Sequence, residues 1–154
     1  MSFNFSSITD CLFIGTTPAV RDYDGLRELG IKLIINMRFG VRLEPDPHFP
    51  PIALLWLPTI DSPFFPMPLP KLMQGAHSAR RTIEDGGKVY VHCAFGRHRG
   101  VVMGACILVA LGYDPEGAMQ LIKARRPVAD PFVFYIHSRI LKFARHWEKH
   151  NVLG

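Results

Sequence analysis

The chain lacks an apolar run long enough to cross a bilayer. Its most apolar uncharged stretch, Val101 to Gly112, falls well short of the roughly 20 residues a membrane helix needs. The start, MSFNFSSITDCLFIG, has neither the basic leader nor the apolar segment of a secretory signal, so a cytoplasmic location is expected. Cysteine is scarce: Cys11, Cys93 and Cys106 are odd in number and widely spaced, which argues against a disulfide framework and suits a reducing compartment. His92, Cys93, His98 and Cys106 are ligand types, yet they lack the paired spacing of zinc sites, so neither metal nor cofactor is expected. Acidic residues are the minority, 13 against 18 Lys and Arg, for a net charge of +5. That excess attracts anions without choosing among phosphorylated small molecules, acidic proteins, lipid headgroups and nucleic acid.

What is present suffices for one folded unit. At 154 residues with 48% hydrophobic side chains, the chain is expected to form a single domain over 1–154, and no repeat or low-complexity linker divides it. Strand-like and helix-like segments alternate. CLFIG (11–15), IKLIINM (31–37), IALLWL (52–57) and KVYVH (88–92) are strand-like, the last three as buried strands and KVYVH as the central one. YDGLRELG (23–30) is a short helix closed by Gly30. Residues 71–85 place Leu72, Ala76, Ala79 and Ile83 on one helical face, and an apolar helix covers 101–111. Asp114-Pro115 and Asp130-Pro131 each offer a cap with proline at the first helical position. The last helix turns Ile136, Ile140, Phe143 and Trp147 to the core, and Arg139, Lys142, Arg145 and Lys149 form a solvated basic face. The predicted fold class is α/β, with a largely parallel central sheet flanked by helices on both sides. The proline-rich piece LPTIDSPFFPMPLP (57–70) is expected to be a functional loop.

The chemistry concentrates in HCAFGRHRG, 92–100, where a strand gives way to a helix. Loop amides that converge there, with the helix's positive end behind them, make an anion site sized for phosphate. Arg99 would add paired hydrogen bonds to two phosphate oxygens. The same field favours the ionised form of Cys93 and makes it a nucleophile toward phosphorus. Gly96 lets the backbone curl around the anion, and His92 is expected to hold the cysteine and its loop by hydrogen bonding. Ala94, Phe95, Gly96, Arg97, His98 and Gly100 complete the phosphate-binding loop. Phe95 either packs on a substrate ring or closes the loop against the core.

The motif His92-Cys93-x-x-Gly96-x-x-Arg99 resembles that of the cysteine-dependent protein tyrosine phosphatases, specifically the small dual-specificity group. The segments 8–37 and 104–127 are similar to that family's neighbouring elements. The resemblance implies phosphate monoester hydrolysis through a phosphocysteine, with no metal. It also implies a general acid upstream on a loop; Asp61 matches that placement, and Asp46 in EPDPHFP is the alternative. One departure stands out: Gly100 replaces the family's Ser or Thr, whose hydroxyl helps the cysteine leave. GRHR (96–99) resembles the loop of inositol pyrophosphate phosphatases, and no separate segment looks like a tyrosine-recognition loop, which predicts a shallow pocket. Expected substrates are therefore phosphotyrosine-type proteins, phosphoinositides or inositol phosphates, with inhibition by phosphate-like oxyanions. A monomer that binds no nucleic acid is expected. Two other readings compete, a rhodanese-fold phosphatase or arsenate reductase and a non-catalytic phosphate-binding module.

Overall fold

The computed structural model describes residues 3–151. Five strands and five helices follow in the order β1 (Phe5–Ser7), β2 (Leu12–Gly15), α1 (Tyr23–Glu28, entered through a 3-10 turn at Val20–Asp22), β3 (Ile31–Arg38), β4 (Ala53–Thr59), α2 (Leu69–Glu84), β5 (Lys88–His92), α3 (Arg99–Ala110), α4 (Pro115–Arg125) and α5 (Phe134–Asn151). They form one sheet in the order β1-β2-β5-β3-β4, parallel except for the β1–β2 pair. The α/β class with a largely parallel sheet is therefore the observed one. β5 is the middle strand, so its carboxyl end delivers the next residue, Cys93, to the crevice where open α/β sheets bind ligands.

Alternating side chains sort the strands between two cores. Leu12 and Ile14 of β2, Leu33 and Ile35 of β3, and Val89 and Val91 of β5 meet the helices α2 to α5. Phe13, Ile34 and Tyr90, from the same strands, pack with Tyr23 and Leu26 of α1 on the other face. Helices thus lie on both sides, but unequally. α3 is buried from Gly100 to Ala110, as a helix apolar all round must be, and it carries the loop's end into the middle of the fold.

Three expectations need correction. IALLWL is not a buried strand: β4 is the sheet's edge, with Ala53 exposed and Trp56 37% exposed. Its apolar residues divide between the faces, Leu55 and Leu57 toward the larger core and Ile52 and Leu54 toward the smaller, and the edge position is why Pro58 fits inside the strand instead of opening the loop. The irregular segment shrinks accordingly to 60–68. Asp114 caps α4, accepting from the Gly117 amide at 2.9 Å, but Asp130 does not cap α5, which starts at Phe134. The Asp130 amide instead donates to the Arg97 carbonyl at 3.0 Å and ties the chain to the loop 93–98. Cys106 is buried, whereas Cys11 is only partly so; all three cysteines are free thiols.

Candidate active site

The loop 93–98 joins β5 to α3, and a buried arginine shapes it. Arg126, 2% exposed at the end of α4, donates from Nη2 to the Phe95 carbonyl at 3.1 Å, from Nε to the Gly96 carbonyl at 2.9 Å and from Nη1 to Ser6 Oγ at 3.0 Å. In a trans peptide the N–H points opposite to the C=O. Turning the Phe95 carbonyl toward Arg126 therefore turns the Gly96 amide the other way, and that amide donates to Cys93 Sγ at 3.2 Å. The same geometry sends the Arg97 amide away from Arg126. Gly96 is required twice over: its φ is +65°, and a Cβ there would stand 2.8 Å from Arg126 Nη2 and 3.0 Å from the Gly15 carbonyl.

Cys93 is 3% exposed, at the head of α3. Arg99, the first residue of that helix, donates from Nη1 to the Thr59 carbonyl at 3.0 Å. Its Nε is buried and has no hydrogen-bond partner among the described residues. A desolvated guanidinium N–H without an acceptor is costly, and it offers a place for an anionic ligand. Gly100 leaves room beside the sulfur: a Cβ at that position would lie 3.4 Å from Cys93 Sγ and 3.6 Å from Ile14 Cγ2, ordinary contacts.

Asp61 comes to this loop and is held there. Its Oδ2 lies 2.8 Å from His98 Nδ1, and its Oδ1 accepts from the Tyr135 hydroxyl at 2.6 Å. Burial pushes the Asp61 carboxyl up, but the Tyr135 and His98 hydrogen bonds and the His98 and Arg99 charges outweigh it, leaving the carboxyl below its usual range. Tyr135 responds in the opposite sense, pushed up to about 12 by burial and by the Asp61 carboxylate it binds. His98 has a second carboxylate on its far side, with Nε2 3.6 Å from Asp130 Oδ2. His98 is thus the clasp between Asp61 and the loop. Asp46 is elsewhere, paired with Arg27 and accepting from the His48 and Ile52 amides at 3.1 and 2.8 Å.

The other loop residues divide between inside and outside. Arg97 is exposed, Ala94 half-buried, and Phe95 is 73% exposed, so Phe95 does not close the loop against the core. His92 is fully buried, and neither ring nitrogen makes a hydrogen bond of ordinary geometry among the described residues, although the Cys93 backbone adjoins the ring. Burial first, then the Arg38 charge, push its imidazole down to about 3, so it is neutral. Alongside Asp61 and Arg99 runs a groove of about 260 Å³ between the 60–67 segment and α5. Two contributors were invisible in the sequence. Arg126 ends a helix thirty residues from the Gly96 carbonyl it holds, and Tyr135 sits beside Ile136 in a helix legible for its core and basic faces but not for this contact.

No family model matches the chain. Dual specificity phosphatase 28 of Mus musculus is 32% identical over 128 residues, 82% of this chain and 76% of that protein. The Homo sapiens protein of that name is 30% identical over 125 residues, 80% of this chain and 69% of the relative. The chain belongs to the dual specificity phosphatases. It is accordingly a phosphatase of the cysteine-dependent tyrosine phosphatase superfamily, and phosphorylated molecules are its substrates. Its fold superposes on the crystal structure of human DUSP28 with a TM-score of 0.79 at 26% identity, over 94% of this phosphatase and 95% of that chain. A mouse dual specificity phosphatase solved in complex with zinc tungstate also gives 0.79 at 26% identity, covering 96% and 91%. PTPMT1 shares the fold at 19% identity, with a TM-score of 0.82 over 98% of this phosphatase and all of that chain. Among the described residues no helix is long and apolar enough to cross a membrane.

Proposed function

We propose that this phosphatase hydrolyses phosphate monoesters through a phosphocysteine on Cys93. The observation that carries the reading is the pairing of a sulfur held by the Gly96 amide with a buried, unpartnered Arg99 Nε at the head of the same helix. A phosphate seated there would accept from the Gly96 and Arg97 amides and from Arg99, in the field of the α3 amino terminus. The Cys93 thiolate attacks phosphorus: the S–P bond forms, the P–O ester bond breaks, and its electron pair leaves on the ester oxygen. Asp61 gives that oxygen a proton. Water then attacks phosphorus, Asp61 takes the proton back, and the S–P bond breaks to return the thiolate and free phosphate.

The Tyr135 and His98 hydrogen bonds favour the ionised form of Asp61, so the acid role requires it to gain a proton as substrate enters. A phosphate dianion beside it pushes in that direction, since like charges disfavour a second anion. A zinc tungstate complex of a related phosphatase supports the expectation that phosphate-like oxyanions occupy the loop and inhibit. Candidate substrates are phosphotyrosine-type proteins, phosphoinositides and inositol phosphates.

The test is an aryl phosphate series of falling leaving-group acidity. Asp61→Asn should lose rate most steeply with the poorest leaving groups, and Cys93→Ser should release no phosphate. Equal rates for Asp61→Asn and the parent on poor leaving groups would remove Asp61 from the acid role. Phosphate binding without release in the parent would favour the non-catalytic module.

A further inference from the structure

The groove beside the active site has two unlike walls. Ile60, Phe65 and Met67 line one, while Arg139, Lys142 and Arg145 of α5 line the other, with Arg99 at its inner end. Arg139 is fixed, its Nε donating to the Met67 carbonyl at 2.7 Å; Lys142 and Arg145 are exposed. None of the three pairs with a carboxylate among the described residues. The groove's own acidic side chain, Asp61, has both oxygens committed to His98 and Tyr135. The face expected to be merely solvated is therefore an uncompensated cationic rail that leads to the phosphate loop.

We infer that this groove docks the acidic side chains flanking the phosphorylated residue of a protein substrate. The inference rests on the phosphatase reading of the same site and deepens it. The three cations recur every third residue, so they span about 9 Å along the helix axis. Alternate side chains of an extended peptide lie about 7 Å apart, and two acidic residues at alternating positions match that rail. The apolar wall decides between anions: an inositol polyphosphate carries no apolar surface to set against Ile60 and Phe65, whereas a peptide supplies both. The concave shape is also poorly suited to a flat lipid surface.

The experiment uses two phosphotyrosine peptides that differ only in Glu or Gln at two alternating positions next to the phosphotyrosine. Affinities are measured by fluorescence anisotropy with the Cys93→Ser protein, which binds without turning over. The Glu peptide should bind about tenfold more tightly at low salt, as two partly exposed ion pairs allow. The advantage should shrink at high salt, and should shrink likewise in a Lys142→Gln/Arg145→Gln double variant on the same background. In turnover, the same double substitution made with Cys93 intact should lower the ratio of kcat/KM for the Glu peptide to that for an aryl phosphate. Equal affinities for the two peptides, or an advantage that survives the double substitution, would overturn the inference. So would a double substitution that weakens inositol hexakisphosphate or phosphoinositide vesicles while leaving the peptides untouched. If the peptides discriminate in binding but the parent releases no phosphate, the docking groove stands and the hydrolytic reading fails.

Discussion

Arg126→Ala should uncouple the phosphate loop from the fold. The guanidinium satisfies two loop carbonyls, those of Phe95 and Gly96, and the hydroxyl of Ser6. Ser6 is half-exposed and can turn to water, but the two carbonyls lose their donors. Hydrogen bonds to a charged group are worth about 1.5–3 kcal/mol each, so the gross loss is about 3–6 kcal/mol. Relief from burying an unpaired charge offsets part of it, which leaves about 3 kcal/mol. With a urea m-value of about 2 kcal/mol/M, the unfolding midpoint should fall by about 1.5 M. The loop pays separately, because the Gly96 amide is aimed at Cys93 only while the Phe95 carbonyl faces Arg126. Tungstate affinity, measured by calorimetry well below the new midpoint, should drop at least about tenfold, the equivalent of one lost charge-assisted hydrogen bond. A variant that unfolds within about 0.3 M of the parent and binds tungstate as tightly would refute the claim that Arg126 shapes the cradle.

Gly100→Ser places a hydroxyl beside Cys93 Sγ in space that accepts a Cβ at 3.4 Å. A hydrogen bond to the departing sulfur should speed phosphoenzyme breakdown about tenfold; pre-steady-state kinetics on a good leaving group should show a smaller burst followed by a faster steady rate, and an unchanged steady rate would count against it. Tyr135→Phe removes a donor that stabilises ionised Asp61. The carboxyl should then rise toward its usual value, hold its proton to higher pH, and move the alkaline limb of kcat for poor leaving groups upward; a downward shift would contradict the clasp. His92 makes stability fall in acid. Its folded imidazole is pushed down to about 3 from an ordinary 6.5, so between those values the unfolded chain binds a proton that the folded one refuses. Stability should therefore drop as pH falls through that window, by at most about 1.4 kcal/mol per pH unit. Urea titrations across it should show a shallower decline for His92→Gln, and an equal slope would sink the assignment.

The candidate site's loop was legible as a strand-to-helix turn because its residues are contiguous: Cys93, Gly96 and Arg99 fall between β5 and the start of α3. The strands and helices around it were legible from periodicity. β1 was not, being three residues whose partners are supplied only by β2. The buried status of 52–57 was misread because an apolar run does not say whether a strand has one neighbour or two. The clasp on Asp61 was out of reach for a different reason. His98, Tyr135 and Asp61 meet from a loop, a helix and the proline-rich segment, and no spacing along the chain encodes such a meeting. Arg126 belongs with them: a buried arginine is recognisable only when the carbonyls it satisfies are in view.

The most direct measurement is rapid acid quench of the parent protein with an aryl phosphate, followed by mass spectrometry of the peptide that carries Cys93. The mechanism predicts one phosphoryl group on Cys93 within the first turnover, absent from Cys93→Ser and strongly reduced in Arg99→Ala. Phosphate released at the normal rate with Cys93 never modified, or released by Cys93→Ser, would contradict it.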